Sequence, residues 1–198
     1  MDRQLRRNTF RKILLSKHNF FFDILFPKYL LRFRFIPIKM KFLVDKTMWR
    51  LSRWLRILGY DSKNYPDVAD RDFLNAAWNE GRIALTRKSE SKKRNYRGEL
   101  VVVEDDRIEN QIAYLYNILP LNPNPDLFFS RCLNCNVLLE TIEKENIKLS
   151  IPEYVYSTQK EFKQCSSCGK IYWAGTHRER ALEFIRRHIP SDRPESFR

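Results

Sequence analysis

Apolar and polar positions fall into alternating blocks along the middle of the chain. Phe42 to Val44 is a short apolar run ending in Asp45, and 41–45 reads as the first strand. Met48, Leu51, Leu55 and Leu58 then recur at helical spacing, which predicts a helix over 47–58 with one buried stripe. Gly59 suits the left-handed position after that helix. A second helical pattern opens near Asp70, after a polar turn, and stops at Gly81. A second apolar strand, Ile83 to Leu85, ends in Thr86-Arg87. Gly98 precedes a third apolar strand, Glu99 to Val103, followed by three acids, Glu104, Asp105 and Asp106. Ile108, Ile112, Leu115 and Leu119 make one more helical stripe. Strands alternating with helices predict an α/β domain with a parallel sheet over 41–121. In such sheets ligands gather at the carboxyl ends of the strands, where Asp45 and Thr86-Arg87 stand.

A different pattern follows. Leu121 to Asp126, with Pro123 and Pro125, reads as a linker, and all four cysteines lie beyond it. Cys132 and Cys135 form one pair, Cys165 and Cys168 the other, with twenty-nine residues between the pairs. Two thiols three positions apart on a tight turn can reach one ion, and two such turns complete a closed tetrahedral site. The spacing therefore predicts one structural zinc ion in a small module over 127–190. Disulfides and an iron–sulfur cluster are the alternatives. Val137 to Glu140 and Glu153 to Ser157 read as strands within this module. Thr176 reads as the cap of a last helix from His177 to about His188, with a basic face of Arg178, Arg180, Arg186 and Arg187.

Charge adds a partner. The 198 residues carry a net charge of +13, which points to nucleic acid or an anionic membrane surface. Residues 1–40 hold ten Lys/Arg against Asp2 and Asp23, interleaved with aromatics such as Phe20-Phe21-Phe22, Phe33 and Phe35. Basic charge binds phosphate and aromatic faces stack on bases, so this segment reads as an RNA-gripping arm. Its Arg-rich, acid-poor start also resembles an organelle-targeting presequence, and 33–38 can equally add an edge strand to the sheet. No stretch reads as a transmembrane span. In the first helix Arg50, Arg53 and Arg56 flank Trp49 and Trp54, a face that suits RNA as well as it suits a half-buried surface. Arg87, Lys88, Lys92, Lys93, Arg94 and Arg97 make the next loop basic. His177 reads either as an RNA contact or as a structural residue beside a cap.

Taken together, FLVD, LSRWLRILGYD, GRIALTR, RCLNCN and CSSCGKIYWAGTH resemble the Mut7-C family over roughly residues 41–180. The resemblance implies a PIN-type ribonuclease fold fused to a zinc ribbon. It further implies Mg²⁺- or Mn²⁺-dependent RNA cleavage by clustered carboxylates. Matched position by position, Asp45 and Asp70 are two such acids, and Asp106, or Asp105 beside it, is a third. One departure stands out. Where the family pattern reads Leu-Thr-Arg-Asp, this chain reads Leu85-Thr86-Arg87-Lys88. An ammonium there repels a dication and can pair with Asp45. The expectation is therefore an RNA-binding protein on a degenerate nuclease fold. It would be a component of a ribosome or its assembly particle, holding ribosomal RNA among neighbouring proteins, in mitochondria or alternatively the cytoplasm. An active endoribonuclease is the other reading.

Overall fold

The computed structural model describes residues 40–90 and 95–189, all within one compact unit that spans Ile38–Arg198. The arm over 1–40, apart from its last residue, and Lys92, Lys93 and Arg94 lie outside the described residues.

The chain enters on β1 (Lys41–Val44), makes a 3-10 turn (Lys46–Met48) and runs into helix α1 (Trp49–Ile57). It returns on β2 (Asp61–Asn64), crosses on α2 (Arg71–Asn79) and continues into β3 (Ile83–Thr86). β4 (Leu100–Val102) and α3 (Ile108–Ile118) complete a four-stranded sheet of order β2-β1-β3-β4, parallel throughout. This is the α/β fold with helices flanking a parallel sheet that the pattern predicts.

Side-chain alternation explains the two layers. Phe42 and Val44 of β1, Ile83 and Leu85 of β3, and Val101 and Val103 at β4 point to one face. There they meet Met48, Leu51, Leu55 and Leu58 from α1 and Ile108, Ile112, Leu115 and Leu119 from α3. Leu43 and Ala84, in alternate register, point to the other face and pack on Phe73, Leu74 and Ala77 of α2. Both predicted helical stripes are thus core.

β2 reads Asp-Ser-Lys-Asn and carries no apolar residue, which is why the sequence pattern shows only a polar turn there. It pairs with β1 through backbone from Lys41↔Asp61 to Val44↔Asn64. Gly59, with φ of 89°, makes the turn into it. A side chain there would also collide with Leu127, whose Cβ would lie 2.7 Å from the added carbon.

The cysteine module is a three-stranded antiparallel sheet of β5 (Leu139–Ile142), β6 (Phe162–Cys165) and β7 (Ile171–Trp173). Its small core is Ile147, Val155 and Phe162. The segment expected as a strand over 153–157 is instead helix α4 (Glu153–Thr158). Its residues have strand propensity, but the Pro152 carbonyl accepts from both Val155 N and Tyr156 N and starts a helical turn. Only Val155 needs burial, and one turn of helix supplies it. The last helix, α5 (Thr176–His188), begins one residue earlier than expected, so Gly175 rather than Thr176 holds the cap position. Its Ala181 and Ile185, with Ile189 beyond it, pack into the same core as α1 and α3. Among the described residues no helix is long and apolar enough to cross a membrane.

Candidate functional site

β1 leads outward to β2 and β3 leads outward to β4, so the strand order reverses between β1 and β3. Crevices open at the carboxyl ends of strands at such a point. Asp45 and Thr86 close the two strands side by side, with Asp45 N donating to the Leu85 carbonyl at 3.1 Å.

Asp45 is 1% exposed, and protein donors surround its carboxylate. One oxygen accepts from Thr47 N at 2.9 Å and Thr47 Oγ1 at 2.6 Å. The other accepts a short bond from Thr86 Oγ1. The Asp45 carboxylate accepting from the backbone N–H two residues on makes an Asx turn that caps the 3-10 turn. Thr86 Oγ1 accepts in turn from Lys88 N at 3.0 Å, so the backbone of Lys88 is tied to the same cluster. Among the described residues no ion pair joins Lys88 to Asp45, contrary to the expected pairing; the two threonine hydroxyls take that place.

The other two expected acids are also engaged. Asp70 caps α2, its Oδ1 accepting from Phe73 N at 2.7 Å and from Tyr65 Oη at 3.4 Å. Asp106 is exposed and forms an ion pair with Arg87. Asp105 accepts from Arg107 N and Asn110 Nδ2, both at 2.8 Å, and the Asn110 bond leads the causes that hold its carboxyl below the usual range. Asp45, Asp70 and Asp106 are each engaged by the fold and do not bring their oxygens within 4.8 Å of one another as a set of three. Among the described residues, the one set of three or more metal-ligating side chains within 4.8 Å of one another is the four cysteines. Replacing Asp70 with Ala should cost about 1 kcal/mol of stability through the lost cap. Urea denaturation reads this, and an unchanged Mn²⁺ titration should accompany it.

Two knuckles build the cysteine centre. Cys132 N donates to the Val137 carbonyl at 2.8 Å, Asn136 N to Cys132 O at 2.9 Å, and Cys135 N to the Cys132 sulfur at 3.3 Å. Asn136 takes φ of 66°, a left-handed residue that turns the chain after Cys135. In the second knuckle Gly169 N donates to Cys165 O at 2.9 Å, and Gly169, with φ of 70°, makes the same turn. The sulfurs of Cys132 and Cys168 lie 3.7 Å apart. Sulfurs bound tetrahedrally to one zinc ion at its usual bond length stand about 3.8 Å apart. Four thiols so placed fit a single metal ion. Burial alone would push the Cys132 thiol up, but the Tyr172 hydroxyl at 3.2 Å and the amides of Cys135 and Asn134 outweigh it, leaving it at about 6. Tyr172 Oη also accepts from Leu133 N at 3.1 Å.

Of the residues expected to meet RNA, Arg50, Arg97 and His177 are exposed, and Arg53, Arg87 and Lys88 are half-buried. Arg56 requires a correction. It is 2% exposed, with its guanidinium turned inward. Nε donates to the Ser62 carbonyl at 2.8 Å, and Nη1 to the Leu133 and Asn134 carbonyls at 2.7 and 2.9 Å. It therefore joins α1 to β2 and to the first knuckle and is closed to phosphate. Ser52, one helical turn earlier, is buried too and meets Ser62 Oγ at 2.9 Å. A polar Ser52/Arg56 line beside the apolar stripe was the available sign that this face is covered.

Asn136 and Arg131 extend that joint. Asn136 Nδ2 donates to Asp61 at 2.7 Å and its Oδ1 accepts from Ser62 N at 3.0 Å, so it finishes the free edge of β2. Arg131 donates to the carbonyls of Gly59 and Asn136 at 3.1 and 2.8 Å. No curated protein and no solved structure matches the chain. The model of the Mut7-C RNAse domain matches residues 40–185, a span that takes in both the sheet and the cysteine knuckles joined to its edge, and the chain belongs to that family.

Proposed function

We propose that this protein binds RNA without cutting it, using a ribonuclease-type domain whose carboxylates now serve the fold. The observation that carries this reading is the state of the strand ends: Asp45 is saturated by Thr47 and Thr86, and Lys88 follows where a carboxylate is expected. A buried carboxylate that already accepts three hydrogen bonds gains little by trading them for an ion. The zinc in the cysteine centre is structural, because four thiolates leave no open position for water or substrate. Arg50, Arg53, Arg87, Lys88, Arg97 and His177, each exposed or half-buried, are the side chains that would meet phosphate. The net charge of +13 and the basic arm support a place within a large RNA–protein particle, and a mitochondrial ribosome or its assembly intermediate fits best. Gradient sedimentation of the tagged full chain from fractionated cells tests that placement. Recovery in light fractions free of ribosomal RNA would end it.

Membership of an RNAse domain family favours a second reading, a metal-dependent endoribonuclease. Mn²⁺ titration of the wild type beside Lys88→Asp separates the two. On the binding reading, neither the wild type nor the variant shows Mn²⁺ heat in calorimetry, because Asp45, Asp70 and Asp106 stay engaged in the fold. On the nuclease reading, the wild type already binds Mn²⁺ and the substitution changes its rate only modestly.

A further inference from the structure

The two tryptophans of α1 meet opposite fates. Trp54 stacks on Phe184 of α5, centroids 4.1 Å apart and planes at 30°, and so closes a joint of the core. Trp49 is 50% exposed, although Met48 beside it is 2% exposed. The buried stripe of α1 lies on a different face, so packing does not require an indole here. The Arg53 guanidinium lies over the Trp49 ring at 5.5 Å. Such a contact braces the ring against the helix while half of the side chain stays open to solvent.

The position is informative. Trp49 opens α1 directly after the 3-10 turn that Asp45 caps, at the carboxyl edge of the sheet. Its surface neighbours in sequence are Lys46, Thr47 and Arg50, all exposed, with the Lys46 ammonium paired to Asp67 at 3.3 Å and the Arg50 guanidinium in no ion pair among the described residues. A protein-binding surface would surround such a ring with further apolar side chains and fewer charges. A lone aromatic face among cations is the pattern that takes a nucleobase by stacking and its phosphates by charge. Lys88, at the adjacent strand end, continues the positive edge, while Arg87 beside it is paired with Asp106.

We propose that Trp49 is the stacking platform for one unpaired RNA base, with Arg50 and Arg53 meeting the phosphates on either side. The inference rests on the RNA-binding reading and adds the form of RNA recognised. A base inside a duplex is stacked on both faces and cannot offer one to the indole, so the site selects single strands or looped-out bases.

The test is equilibrium binding of the full zinc-loaded chain to a short labelled single-stranded RNA and to a blunt duplex of the same sequence. Wild type, Trp49→Ala, Trp49→Phe and Trp78→Ala are compared across a salt series. Trp78 is the control, because it is as exposed, at 53%, but lies at the far end of α2, near the amino edge of β3. Trp49→Ala should weaken single-strand binding about tenfold. The slope against salt should stay unchanged, because stacking releases no counterions. Trp49→Phe should restore most of the loss, while Trp78→Ala and all duplex affinities should stay at wild-type values. Equal affinities for wild type and Trp49→Ala would overturn the inference but leave RNA binding standing. So would a loss shared by the duplex, or a change of oligomeric state in Trp49→Ala. If the wild type binds neither RNA, both this inference and the RNA-binding reading fall.

Discussion

Stripping the metal with a chelator, or replacing Cys132 with Ser, should loosen the ribonuclease-type sheet as well as the cysteine module. Structural zinc contributes on the order of 10 kcal/mol to small domains that fold around it. Here the first knuckle also carries bonds that leave the module. The carbonyls of Leu133 and Asn134, between the two cysteines, accept the Arg56 guanidinium. Asn136, the residue after Cys135, holds both Asp61 and the Ser62 amide of β2. Phe129 N donates to the Ile57 carbonyl at the end of α1, at 2.9 Å. When the knuckle opens, these partners lose their geometry together. Hydrogen exchange should therefore speed up in β2 and the end of α1, besides β5 to β7. Exchange confined to β5–β7 would show that the two parts are energetically separate.

Arg56→Leu should be the most damaging single substitution outside the cysteines. It leaves three carbonyls, those of Ser62, Leu133 and Asn134, without their donor in a buried joint, at a cost of about 3–5 kcal/mol. Arg56→Lys should recover only part of this, because one ammonium cannot reach both β2 and the knuckle as the planar fork does. Burial lowers the Arg56 pKa, while charge on Cys132 and Cys135 supports the cation, so its stability is linked to the thiolates beside it. Chemical denaturation reads the loss. RNA affinity measured below the variant's unfolding transition should match the wild type. A variant of normal stability with weakened RNA binding would return Arg56 to the surface role that its sequence context suggests.

That contrast shows where the sequence was legible. β1, β3, α1 and α3 carried apolar positions at the spacing their burial needs, so their existence and their inner faces followed from pattern alone. The cysteine pairs were legible because spacing is the constraint itself. β2 was not, because an edge strand with one buried side chain, Ser62, needs no alternation; its pairing comes from backbone and its outer edge from Asn136. α4 was misread because Tyr154, Val155 and Tyr156 favour strands, and only the position of Pro152 argued for a turn of helix. Arg56 looked like its neighbours Arg50 and Arg53. Its burial depends on the knuckle arriving from more than seventy residues away, with Leu133 separated by 77 positions. At the strand ends, sequence identified Asp45 and Thr86 as sharing an edge. That Thr47 and Thr86 take up the carboxylate's bonding capacity depends on how the two strand ends meet in space, which no local pattern encodes.

The central claim is that this fold holds RNA and does not cleave it. Its most direct test is to incubate the zinc-loaded full chain with labelled single-stranded and structured RNA, with Mg²⁺ or Mn²⁺, at low and moderate salt, beside Asp45→Asn. The account predicts intact RNA in every lane and complexes that weaken steeply as salt rises. RNA cut only when metal is present, and left whole by Asp45→Asn, would contradict it and make Asp45 a working ligand.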